Sequence, residues 1–131
     1  PPQSIPHWEP PPPNFQKINC DASFFRHCNR AGFGCVLRDD SGRWKLGRSG
    51  NLPIWSIFRY SASVDNDLLH RIRDILHWPW TIQFRLIKRE ANAIADWLAK
   101  RGAMGDADLI TWIEPGEYLR SLLKHDITAL L

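Results

Sequence analysis

At 131 residues and 15.2 kDa the chain has the length of one compact domain. Its 44% hydrophobic and 24% charged residues exclude a disordered chain, and no apolar run approaches the roughly 18 residues that span a bilayer. The net charge of +3 is uneven: residues 14–63 carry eight Lys/Arg against three Asp/Glu, and residues 103–131 carry two against five. A basic half with interleaved Trp and Phe suits contact with a phosphate backbone.

In chain order, residues 1–14 are proline-rich around His7, Trp8 and Glu9. Proline removes backbone donors and favours extended geometry, so this stretch reads as a linker into a single domain over 15–131. From Lys17 to Phe24, Ile18, Cys20, Ala22 and Phe24 alternate with Asn19, Asp21 and Ser23, which predicts a strand. Arg26 to Ala31 breaks it. Gly32 to Arg38 predicts a second strand through Phe33, Cys35 and Leu37, and Asp39-Asp40-Ser41-Gly42 is strong turn chemistry. Arg43 to Arg48 predicts a third, with Trp44 and Leu46 on one face. Short connections make these three an antiparallel meander.

Ser63 to His77 has helical spacing through Leu68, Leu69, Ile72, Ile75 and Leu76, with Ser63, Asp65 or Asp67 as caps, and Pro79 stops it. Trp80 to Leu86 alternates again and predicts a fourth strand. Glu90 to Arg101 predicts a helix closed by Gly102. Pro115 to Leu131 predicts a tail helix with Leu119, Leu122, Leu123 and Ile127 on one side. The fold class is α/β (α+β), one sheet with helices packed on it.

The cysteines are Cys20, Cys28 and Cys35. An odd count with no secretory leader in view suggests free thiols in a reducing, nuclear or cytoplasmic setting. Together with His27 they invite comparison with a zinc site, but the spacing fits no zinc motif and two of them fall in strands.

Three motifs in order carry a resemblance. They are Lys17-x-Asn19-x-Asp21, then Gly32-x-Gly34-x-Val36-x-Arg38-Asp39-x-x-Gly42-x-Trp44, then Arg89-Glu90-Ala91-Asn92-x-x-Ala95-Asp96-x-Leu98-Ala99. With the Pro115–Asp126 tail, these resemble the type-1 ribonuclease H domain in the subfamily of plant retroelement reverse transcriptases and their domesticated relatives. The resemblance implies a mixed sheet built on such a meander. It also implies cleavage of the RNA strand of an RNA–DNA hybrid by two magnesium ions about 3.5–4 Å apart, held by four carboxylates. It identifies Asp21 as the first carboxylate and Asp96 as the last.

The family's second and third carboxylates lie on a helix and a strand after the meander. Here residues 51–62 contain no Asp or Glu, and one helix and one strand of the family are expected to be missing. Ala22 stands where the family usually has Gly, and Leu86 where relatives often carry His. By itself Asp21 reads as a solvent-facing strand acid, and Asp96 as the partner of Lys100 one helical turn on.

Two carboxylates match the charge of one divalent ion, so weak Mg2+ binding and impaired hydrolysis are expected. Nucleic acid, either an RNA–DNA hybrid or RNA, is the expected partner, met by Arg26, Arg30, Arg38, Arg43, Lys45, Arg48 and Asn92. A crippled ribonuclease H-like hydrolase, a non-hydrolytic binding module and a retroelement remnant are the three readings left open.

Overall fold

The computed structural model describes residues 6–53 and 87–131. The expected helix at 63–77 and strand at 80–86, with Asp65, Asp67 and Leu86, lie outside the described residues.

Alternating side chains build three nine-residue strands, β1 (Lys17–Phe25), β2 (Arg30–Arg38) and β3 (Trp44–Leu52). They form the expected antiparallel meander, and a short β4 (Ile110–Trp112) pairs antiparallel with β3, giving the order β1-β2-β3-β4. β4 was not predicted, because three residues carry no readable period. Long-range bonds hold it: Trp112 Nε1 donates to Ser49 Oγ at 2.9 Å, and Trp44 Nε1 donates to the carbonyls of Trp112 and Ile113 at 3.2 and 3.1 Å.

The turn between β2 and β3 forms as its residues dictate. Asp39 Oδ1 accepts from the amides of Ser41 (2.9 Å) and Arg43 (2.8 Å), and Gly42 takes φ +82°. The backbone donors, Arg43 N–H first, hold the Asp39 carboxyl below the usual carboxylate range. Just beside this turn one expectation is corrected. A register shift pairs Arg38 with Trp44 but Leu37 with Leu46, so Trp44 and Leu46 point to opposite faces.

Helix α1 (Ala93–Met104) follows a 3-10 turn at Arg89–Ala91 and lies across the three long strands. Its buried stripe is Ile94, Ala95, Leu98, Ala99, Gly102 and Ala103, small residues that let backbone approach backbone. Gly102 does not end the helix, as was expected. It lies inside α1, where an added Cβ would meet the Gly50 carbonyl oxygen at 2.5 Å. The helix stops at Gly105, whose amide bonds the Arg101 carbonyl. Helix α2 (Glu117–Ala129) presents Leu119, Leu122 and Leu123 to the core built on Val36, Ile94 and Leu98, with Trp44, Trp97 and Trp112 packed around it.

The segment expected to be a passive linker contributes to this core. Trp8 is 2% exposed, donates from Nε1 to Asn19 Oδ1 at 2.9 Å, and lies 3.6 Å under the Arg38 guanidinium. The ordered unit therefore begins upstream of residue 15. The described residues form an α+β arrangement, a four-stranded antiparallel sheet with two helices packed on it.

Candidate acidic site and basic surface

Asp21 and Asp96 meet. Strand alternation directs Asp21 to the α1 face of the sheet, opposite Gly34, and the absence of a side chain at Gly34 lets α1 settle there. Asp96 sits in the first turn of α1, where a carboxylate is favoured by the helix dipole. The start of the helix is tied to β1 by Asn92, whose Nδ2 donates to the Cys20 carbonyl at 3.0 Å. Asn92 was expected to contact nucleic acid. Its amide holds the start of α1, and with it Asp96, beside β1, and its Oδ1 is buried without a hydrogen-bond partner among the described residues.

The electrostatics follow from this packing. Partial burial pushes the Asp21 carboxyl above its ordinary value, and the charge and a shared hydrogen bond of Asp96 push the same way. The Ala22 amide, 2.8 Å from Asp21 Oδ1, and the charge of Arg89 oppose them. Asp96 Oδ2 also pairs with Lys100 Nζ at 2.9 Å, with the Asp96 side chain 21% exposed and that of Lys100 52%. The helical pair and the meeting with Asp21 thus coexist. Arg89 was missed as a site residue, although it opens the Arg-Glu-Ala-Asn motif; only the fold shows that its charge reaches Asp21.

Two neighbouring carboxylates suit one hydrated magnesium ion, which takes hard oxygen ligands and keeps much of its water. Among the described residues no group of three or more His, Cys, Asp or Glu could hold a metal. Cys20, His27, Cys28 and Cys35 accordingly form no zinc cluster.

The raised Asp21 makes a stability prediction whose sign is fixed. The folded state binds the Asp21 proton more tightly than the unfolded chain does. Stability therefore falls as pH rises from about 3.8 through the raised value. Asp21→Asn, which keeps an acceptor for Ala22 N–H, should be more stable than the wild type at pH 7, and this gain should vanish in acid. Urea midpoints across pH measure it; equal midpoints at pH 7 would mean that folding does not raise the Asp21 carboxyl.

The expected basic residues divide. Arg26, Arg43, Lys45 and Arg48 are exposed. Arg30 is bound to the end of α1, donating to the carbonyls of Ala103 (2.7 Å) and Gly105 and pairing with Asp106 at 3.0 Å. Arg38 departs furthest from expectation. Its side chain is 1% exposed, with Nη1 2.7 Å from Asp126 Oδ2 and Nε donating to the Gly42 carbonyl at 3.0 Å. The fold uses its charge internally, so it presents none to a phosphate.

The chain matches no protein-family model, no curated protein and no solved structure. No helix among the described residues is long and apolar enough to cross a membrane.

Proposed function

We propose that this chain is a ribonuclease H-like domain that retains the first and last carboxylates of a two-metal nuclease site and binds nucleic acid with little or no hydrolysis. The observation that supports it is the meeting of Asp21 and Asp96. Two acids far apart in sequence, each inside a motif resembling that family, converge on one face of the sheet, and the charge of Asp96 raises the Asp21 carboxyl. A bland surface role for either acid does not call for that convergence.

Asp21 and Asp96 would hold one magnesium ion, which supplies charge stabilisation to a phosphate oxygen when bound. A pair of carboxylates balances the charge of one such ion, whereas the family reaction uses two, one for the attacking and one for the leaving oxygen. Hydrolysis is therefore expected to be severely reduced, with the binding function the better preserved. Arg26, Arg43, Lys45 and Arg48 are the exposed cations that would meet the phosphates.

The test is fluorescence anisotropy with a labelled RNA–DNA hybrid over a salt series, with strand cleavage followed in the same samples with magnesium. Binding should weaken with salt, and replacing Arg43, Lys45 or Arg48 by Ala should each lower the salt slope by about one. Cleavage should stay near background. Absent or salt-independent binding would reject the binding role. Efficient magnesium-dependent cleavage lost in Asp21→Asn would show an intact enzyme instead.

A further inference from the structure

We propose that Cys20 and Cys35 form a reversible thiol–disulfide exchange site, a cross-strand dithiol that low-molecular-weight disulfides such as oxidised glutathione convert to an intramolecular bridge. The two residues are direct register partners on β1 and β2, on the sheet face away from α1. Cys20 is exposed and Cys35 partly exposed. This goes beyond the nucleic-acid reading and does not depend on it.

The backbone shows which kind of cross-strand pair this is. The Cys20 carbonyl accepts from Asn92 Nδ2, and the amide of Ala22, two residues on, donates to its neighbour Asp21 Oδ1. Both groups are therefore engaged away from β2, which makes Cys20–Cys35 a non-hydrogen-bonded pair. Such pairs bring Cα atoms to about 4.5 Å with side chains close together, within the span of roughly 4.4–6.8 Å that disulfides adopt. Closure requires side-chain rotation rather than movement of a strand.

The surroundings also separate the roles of the two sulfurs. Cys35 lies between Cys20 on β1 and Arg48 on β3, its register partners on either side. A hydrogen bond from Cys20 and the Arg48 charge draw the Cys35 thiol below its ordinary value despite partial burial. Cys35 is thus the attacking thiolate. It displaces one thiolate from the small disulfide and becomes a mixed disulfide. Cys20 then loses its proton to solvent and attacks the Cys35 sulfur, expelling the second thiolate. The protein gives up two hydrogens and two electrons, and the small disulfide is reduced to two thiols.

The experiment treats the full chain with oxidised glutathione, alkylates it in denaturant, and maps the peptides by mass. The expected result is a Cys20–Cys35 linked peptide, alkylated Cys28, and full reversal by dithiothreitol. Cys20→Ser should accumulate glutathione on Cys35, because no neighbouring thiol resolves it, and Cys35→Ser should slow modification of Cys20 at least tenfold. Glutathione confined to Cys28, a bridge to Cys28, or bridges formed only between molecules would overturn the proposal.

Discussion

Asp126→Ala should cost about 3–5 kcal/mol, because it leaves a buried guanidinium without its counter-charge. The Arg38 side chain is 1% exposed and that of Asp126 14%, and Arg38 Nη2 lacks a hydrogen-bond partner among the described residues. Its Nε is held by the Gly42 carbonyl and its face by the Trp8 ring, and the other carboxylate whose charge reaches it, Asp39, is engaged by the turn amides of Ser41 and Arg43. Domains of this size are stable by only about 5–15 kcal/mol, so the variant should unfold at a clearly lower urea concentration. The double variant Arg38→Met with Asp126→Leu should recover most of the loss, because an apolar pair carries no desolvation penalty. A single variant within about 1 kcal/mol of wild type would mean that water reaches the pair and screens it.

The second large effect is expected at Gly34. An alanine Cβ there would lie 2.5 Å from Leu98 Cβ and 2.6 Å from the Ala95 carbonyl oxygen, besides pressing on the Ala99 amide. Two of those three neighbours are helix backbone, which cannot rotate away, so α1 must lift from the sheet. Overpacking of this kind costs about 1–3 kcal/mol, and here the upper end is expected. The consequence for the site is larger than for the fold. Gly34 is the register partner of Asp21, and Asp96 rides on the helix that would lift. If Asp21 and Asp96 hold magnesium as proposed, the ion should raise the melting temperature of the wild type, and Gly34→Ala should abolish that rise. Gly116→Ala, where nothing lies within 4 Å of an added Cβ, is the control: it should lose only the small stability expected of an N-cap glycine and keep the wild-type response to magnesium. Unchanged melting and magnesium response in Gly34→Ala would refute the close helix–sheet contact.

These two positions also show how far the chain could be read in advance. Both lie in motifs singled out from sequence alone, yet neither role was visible there. Arg38 reads as one more cation of a basic stretch, and its neutralising carboxylate is 88 positions later, on helix α2. Gly102 reads as a helix stop because glycine terminates isolated helices. Packing overrides that tendency where the sheet offers Gly50 and leaves no room for a side chain. Trp8 reads as part of a proline-rich lead-in, since the alternation that marks buried residues is absent among prolines.

Local chemistry determined the meander, its Asp39 turn and the tail helix with its leucine face, whereas the candidacy of Asp21 and Asp96 came from the resemblance carried by three motifs in order. The meander, the turn and the tail helix each depend on residues within about one turn or one hairpin of each other, which is the range over which periodicity and hydrogen-bonding preference act. Tertiary structure alone decided how the charge of Asp96 acts on Asp21 and that Arg38 is buried rather than presented. It also decided that Trp44 and Leu46 part company at a bulge, and that Cys20 and Cys35 face each other. Those outcomes follow from register and from helix-to-sheet distance, which arise when distant segments share one volume. No single segment encodes them.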